Sequence, residues 1–330
     1  MSFLSAYLLF IAKAVTTLIV FGLFVLLLVA LVVRNKRGKS AADEELEIKF
    51  LNGDLHADKV SLEYDILEKA DKKQLKKHPI KPQKDRPRLF VLDFDGDIDA
   101  SETDSLRRQI TAIIQTANKE KDKVLLRLES PGGVVHGYGL AASQLNRLKQ
   151  ADIELTVAVD KVAASGGYMM ACVADKIIAA PFAVLGSIGV IAQVPNIHRL
   201  LKDKNVDIEL HTAGKYKRTL TLMGENTDEG REKFKEDLQL THDLFKQHIT
   251  RHRPQIDIDS VATGETWYGQ QAIDNHLADA ILTSDDYILS ATKEMDVYKL
   301  SINEKQGLID KLRNQFLQKN KAEISKHYFL

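Results

Sequence analysis

The sequence predicts an α/β fold, a mainly parallel sheet covered by helices, preceded by a transmembrane helix. Three observations carry this reading. Apolar runs of strand length alternate with segments of helical spacing from Leu89 onward. Turn-forming stretches separate them, "SPGG" at 130–133 being the clearest. The twenty residues from Ala14 to Val33, "AVTTLIVFGLFVLLLVALVV", carry no charge and are long enough to cross a bilayer as a helix.

The bulk numbers bound the rest. With 330 residues, 44% hydrophobic and 28% charged, the chain can bury one large core or two modest ones. Lys+Arg and Asp+Glu both number 46, so no net charge draws the chain to nucleic acid, and none is expected as a partner. The single cysteine, Cys172, excludes an intramolecular disulfide and any multi-cysteine metal site.

Residues 1–39 read as an N-terminal anchor with a basic flank, in contact with membrane lipid through residues 14–33. A cleaved signal peptide would have a shorter apolar run followed by a small-x-small site, whereas this run ends in "RNKRGK" (34–39). Arg34, Lys36, Arg37 and Lys39 would place that end in the cytoplasm by the positive-inside bias, with Lys13 opposing weakly. Residues 40–87 form a charged segment and linker. Phe50, Leu51, Val60, Leu62 and Ile66 allow a short helix, and "KADKKQLKKHPIKPQKDRPR" (69–88) is an exposed spacer.

From residue 88 to 293 the elements follow in order. "RLFVLDFDGDI" is a buried strand by its apolar run, and 103–120 a helix with Leu106, Ile110, Ile113 and Ile114 on one face. "KVLLRLES" (123–130) is the next strand, 137–150 a helix and "IELTVAVD" (153–160) a strand. A short helix follows Ser165, and strands are expected at 176–180, 186–193 and 206–212. Residues 227–252 read as one long amphipathic helix, and 264–282 as strand, helix and strand. Residues 294–330 are a charged tail, with Leu308, Leu312 and Phe316 at helical spacing.

Two loops carry the chemistry. "DKVAASGGYMMACVAD" (160–175) places Ser165 between a strand and a helix start, where a serine is a good N-cap. A cap has no need of Gly166 and Gly167, since glycine costs about 1 kcal/mol in a helix interior. Glycine does allow a substrate backbone to approach, and the Gly166 N–H at a helix N-terminus favours developing negative charge. "ESPGGVVHGY" (129–138) leaves another strand at the carboxyl edge of the sheet, where ligands bind in such folds, and Gly132 and Gly133 can turn backbone N–H groups towards an oxyanion. A serine nucleophile needs a base. His136, His198 and His211 offer no triad-like context. A desolvated lysine is the other option, and "TAGKYKRTLT" (212–221) offers Lys215 and Lys217.

In this order, "SPGG", "DKVAASGGYMMACVAD", "GSIGV" and "GKYKR" resemble the motifs of the signal-peptide-peptidase (SppA-like) serine proteases over about residues 88–293. The apolar span and the charged segment before the catalytic region resemble the SohB branch. The resemblance implies a crotonase- and Clp-like α/β architecture, a serine peptidase domain at 88–293, and a Ser–Lys dyad. Ser165 matches the nucleophile, Lys217 the general base with Lys215 as a nearby decoy, and Ser187 of "GSIGV" the serine that supports the lysine amine. Gly132, Gly133 and Gly166 match the oxyanion-hole region. Family members form rings in which serine and lysine can come from different subunits, so a homo-oligomer is implied. The implied setting is a single-pass protein of the bacterial inner membrane with its peptidase domain periplasmic, against the pull of the basic flank. Peptide or unfolded protein, such as signal-peptide remnants or misfolded envelope proteins, is the implied substrate, and no cofactor or metal is called for. Arg218 stands where relatives often carry an acidic residue.

Other readings stay open: a scaffold that binds partners through 227–252, a crotonase-like acyl-thioester enzyme, and a Ser–His–Asp peptidase using His198. Asp93, Asp95 and Asp97 read as an exposed strand end, because they lack the Gly and Glu of an EF-hand. Trp267 and Tyr268 read as packing or subunit contact, and Cys172 as a core filler.

Overall fold

The computed structural model describes residues 7–24 (other than 8, 12 and 14), 44–66 and 80–304. The chain divides into two compact units, 1–46 with 302–330, and 47–301. In the first, the described residues of 7–24 are helical, and the Thr17 hydroxyl donates to the Lys13 carbonyl one turn back (2.8 Å). Among the described residues no helix is long and apolar enough to cross a membrane. Residues 14 and 25–33 of the expected span lie outside the described residues, as do the basic flank 34–39, most of the expected linker (67–79) and the tail beyond 304.

In the larger unit, strands β2 (Arg88–Asp95), β3 (Lys123–Glu129), β4 (Glu154–Val159) and β6 (Lys176–Ala179) pair in parallel, with β9 (Ala280–Ile281) beyond β6. β1 (Glu44–Phe50) and β10 (Asp296–Glu304), whose residues 47–50 and 296–301 belong to this unit, complete the order β1-β10-β2-β3-β4-β6-β9. β2, β3 and β4 are buried almost end to end because helices cover both faces, which is why they are continuous apolar runs in the sequence rather than alternating ones. The helices α1 (Leu51–Ile66), α2 (Thr103–Thr116), α3 (Val135–Gln150) and α4 (Gly166–Ala171) come before residue 172. After it come α5 (His198–Asp203), α6 (Asp228–His252), α7 (Ile258–Val261), α8 (Gly269–Asp274) and α9 (Ser284–Ala291). Leu89, Val91, Leu125, Ala158, Ile178 and Val297 form one layer of the core, closed by Ile288 of α9 and by Leu51 at the start of α1. α2 and α3 pack on one another and bury Leu106, Ile110, Ile113, Ala141, Leu145 and Leu148. At roughly 1.5–3 kcal/mol for each large apolar side chain, these layers are the main source of stability.

Two sequence expectations shift. Residues 206–212 form no strand; 205–227 contain no helix or strand, and of the expected strand at 186–193 only β7 (Val184–Gly186) forms, ending at the boundary glycine. The segment is almost wholly exposed, with no apolar face buried to hold it in a sheet. At the other end, β10 begins at Asp296, inside what reads as tail, so the sheet runs one strand past the expected boundary at 293. The reason is burial: Val297 and Leu300 are almost fully enclosed beside β2, and Asp296 receives the Gln83 N–H (2.8 Å) and the Arg86 guanidinium (3.3 Å). Asn52 ties the start of α1 to the same strand, donating to the carbonyls of Thr292 and Met295 and accepting from Val297 N–H (2.7 Å).

A second, small sheet sits at the carboxyl edge of the first. Its order is β5 (Val162–Ala164), β7 and β8 (Thr266–Tyr268), with β7 and β8 antiparallel. A single bridge between Ser130 and Ala163 joins the end of β3 to β5. This junction brings the two glycine loops together.

Candidate active site

β5 ends at Ala164 and helix α4 begins at Gly166, leaving Ser165 alone to make the turn. Its backbone has φ 51° and ψ −116°, a conformation that strains any residue but glycine. Its N–H donates to Gly186 O (2.8 Å) and its carbonyl accepts from Met169 N–H (3.0 Å), so both neighbours fix the turn. The Ser165 side chain makes no capping hydrogen bond, although the residue stands at the N-cap position. The hydroxyl therefore does not serve the helix.

The "SPGG" loop lies directly against it. Gly132 has φ 91°, and a Cβ placed there would fall 2.7 Å from both Ser165 Cβ and Gly166 N. A Cβ on Gly133 would meet the Ile98 carbonyl at 2.0 Å, and one on Gly166 would strike the buried Tyr138 ring at 2.4 Å. Tyr138 is clamped in turn, its hydroxyl donating to Asp97 O (2.7 Å) and bonded to Ser130 Oγ. Gly132 N–H donates to Ser130 Oγ (3.0 Å). Among the described residues no hydrogen bond uses the Gly133 N–H, and Gly166 N–H, in the first turn of α4, has no carbonyl one turn earlier to bond.

Ser165, Gly133 and Gly166 line one cavity of about 290 Å³. Its other walls are mainly apolar: Val135 and Gly139 of α3, Met169 of α4, Val190 and Ile191 after β7, and Leu244 and Phe245 of α6. Such a cavity accepts an apolar or small side chain beside the serine. The sequence reading missed three polar lining residues, Ser143, Thr241 and His248, of which His248 carries an ionisable ring. Its position follows from the helical spacing of Leu244, Phe245 and Ile249 on α6, but only the packing of α6 on α4 shows which cavity it enters. His248 Nε2–H donates to Met169 O (3.0 Å), and burial pushes its pKa down, keeping the ring neutral.

The remaining candidates fall elsewhere. Ser187 is half-buried with φ 51°, and its N–H donates to Glu265 O (2.6 Å) just after β7. Lys217 is exposed in 205–227, is not among the residues lining the cavity, and forms no ion pair among the described residues. Lys215 pairs with Glu229 (2.7 Å) and lies over the Tyr216 ring, and these partners raise its pKa further, holding the amine charged. His136, His198 and His211 do not line the cavity. Asp93 is matched by Arg127 (2.6 and 2.9 Å) and Lys299 (2.7 Å), and Asp97 accepts from Ser101 N–H and hydroxyl (2.8 Å each), so these carboxylates serve ion pairs and a turn. Trp267 packs on Gly186, where a Cβ would meet its ring at 2.6 Å, and Cys172 is fully buried.

Comparison with known proteins adds to this geometry. Residues 147–298 match the model of peptidase family S49, and residues 2–145 that of the peptidase family S49 N-terminal region. The chain is 50% identical to "Probable protease SohB" of Haemophilus influenzae over 331 aligned residues, covering 94% of this chain and 92% of that one. It is 62% identical over 216 residues to the protein of the same name from Buchnera aphidicola subsp. Schlechtendalia chinensis, covering 66% and 70%. Among solved structures, a mutant of the "1510-N membrane-bound stomatin-specific protease" in complex with a substrate peptide aligns over 70% of this chain and 98% of that one, at 13% identity and a TM-score of 0.45.

Proposed function

We propose, from the premise that this chain belongs to peptidase family S49, that it is a membrane-anchored serine endopeptidase with Ser165 as nucleophile and Lys217 as general base. The observation that carries the reading is the strained Ser165, its hydroxyl uncommitted to the helix, at an apolar cavity beside the N–H groups of Gly133 and Gly166.

The chemistry follows from those positions. The Lys217 amine takes the Ser165 proton as the hydroxyl oxygen attacks a peptide carbonyl. The N–H groups of Gly133 and Gly166 bind the tetrahedral oxyanion, while Gly132, whose N–H is held by Ser130, keeps the loop against the serine. The protonated lysine then passes its proton to the leaving amine, and water resolves the acyl-enzyme. The substrate is an extended peptide presenting an apolar or small side chain to the cavity, as in signal-peptide remnants or misfolded envelope proteins.

A lysine acts as a base only when desolvated, and Lys217 is exposed in the single chain. Delivery of Lys217 to the serine of a neighbouring copy in a ring supports both needs, proximity and burial. Mixing is the direct test. Ser165→Ala and Lys217→Ala should each be inactive, yet mixed at equal amounts in one ring they should recover about a quarter of full activity, because each site needs one intact residue from each of two adjacent copies. Full activity in Lys217→Ala would remove the lysine from the mechanism. An acylating inhibitor that leaves Ser165 unmodified by mass spectrometry would remove the serine.

A further inference from the structure

Behind the Ser165 cavity, α4 and α6 bring together the only cysteine and two histidines of the chain's long helix. We propose that Cys172, His248 and His252 form a three-ligand site for a divalent cation of the zinc class. One ligand atom from each residue lies within 4.8 Å of the other two. Tetrahedral zinc with bonds of about 2.0–2.3 Å to nitrogen and sulfur holds its ligand atoms roughly 3.5 Å apart, so side-chain rotation of about an ångström closes the set. His248 and His252 are one helical turn apart, their rings 4.6 Å centre to centre.

The surroundings match a metal site in a second way. A carbonyl oxygen can only accept, so the contacts made by the rings settle which nitrogen carries the proton. His248 Nε2–H donates to Met169 O (3.0 Å), and His252 Nδ1–H donates to His248 O (3.0 Å). Each imidazole thus has one N–H anchored on a backbone carbonyl and a lone pair on the other nitrogen, the neutral form that a metal-ligating histidine needs. The Cys172 thiol also donates to Met169 O (3.3 Å). Burial pushes that thiol's pKa up, against the pull of the nearby Arg253 guanidinium, whose charge is matched by Asp279. Without an ion the thiol stays protonated and inert. On binding, the thiol proton leaves to solvent and the thiolate becomes the third ligand, with the fourth position open to water. Cys172 itself is fully buried, so the ion enters through the cavity that His248 and Met169 also line, and once held it narrows the space beside Ser165.

The site does not depend on the role assigned to Ser165, and its test reads binding alone. The reduced full chain in detergent would be titrated with cobalt(II). The expected result is saturation at one equivalent, with a thiolate-to-cobalt charge-transfer band in the near ultraviolet, tetrahedral visible bands, and displacement by zinc. Cys172→Ser should lose the charge-transfer band and bind at least about ten-fold more weakly, and His252→Ala, at a half-exposed position, should weaken binding comparably while keeping the wild-type circular dichroism. No saturable binding by the wild-type chain, or cobalt affinity unchanged in both variants, overturns the site.

Discussion

Replacing Gly132 with alanine tests the closeness of the two glycine loops most directly. The added Cβ would stand 2.7 Å from Ser165 Cβ, 2.7 Å from Gly166 N and 2.8 Å from Ala164 O. Two of these are backbone atoms and the third is the root of the nucleophile's side chain, so none can swing aside. The backbone adds its own penalty, since φ is 91°, at about 1–2 kcal/mol for a residue with a side chain. Overpacking of this kind costs a further 1–3 kcal/mol or so. The sum, about 2–5 kcal/mol, is a large share of the roughly 5–15 kcal/mol that holds a domain together. What relieves the clash is movement of the Ser165 turn, and a displacement near 1 Å costs on the order of a hundred-fold in rate. Urea unfolding should therefore give a lowered midpoint, and cleavage of a fluorogenic peptide by the fraction still folded should fall by about two orders of magnitude. A variant with wild-type midpoint and wild-type rate would refute the argument that Gly132 is required by its contact with Ser165.

Other perturbations have signs that follow as directly. Gly139 also lines the cavity, but nothing lies within 4 Å of the Cβ it lacks and it sits inside α3, so Gly139→Ala should raise the urea midpoint by the equivalent of about 0.5–1 kcal/mol. Arg253, 2% exposed, binds both Asp279 oxygens (2.8 Å each) and His276 O (2.9 Å); Arg253→Met should destabilise by roughly 3 kcal/mol in the same experiment. Burial acts to raise the pKa of Asp122, but the Arg88 guanidinium and the N–H groups of Asn118 and Arg88 outweigh it and hold the carboxyl below its usual range. Its stabilising contribution is therefore complete above about pH 4 and lost as the pH falls through the folded-state value, so Asp122→Asn should flatten the acid limb of a stability-versus-pH curve.

Much of this architecture could be read from the residues because local pattern and tertiary burial agree. β2, β3 and β4 are apolar runs that are buried on both faces, and Leu106, Ile110 and Ile113 share the face that α2 buries. Ser165 and the "SPGG" glycines were legible because small residues at two strand ends are otherwise unnecessary. The disagreements arise where a partner far along the chain decides the outcome. β10 is a strand because β2 pairs with it, and two of its charged residues, Asp296 and Lys299, are paired with Arg86 and Asp93. "VDIELHT" alternates like a strand but finds no neighbour to pair with in the described chain. His248 is one of several polar residues on α6, and only the contact of that helix with α4 distinguishes it from a solvated one.

The position of β10 also sets a schedule for biosynthesis. Arg86, just before β2, is hydrogen-bonded to the Glu294 carbonyl 208 residues later. At about 5–20 residues per second, a ribosome needs roughly 10–40 s to make that stretch. Throughout it the β2 edge that β10 will cover has unpaired backbone groups, open to any extended chain nearby. The same strand runs on to Gly96, which packs against Ser130 and Tyr138 beneath the serine turn. A nascent chain thus carries its serine long before the far edge of that strand is covered, and the sheet reaches its final order only when nearly all of the described chain has been made.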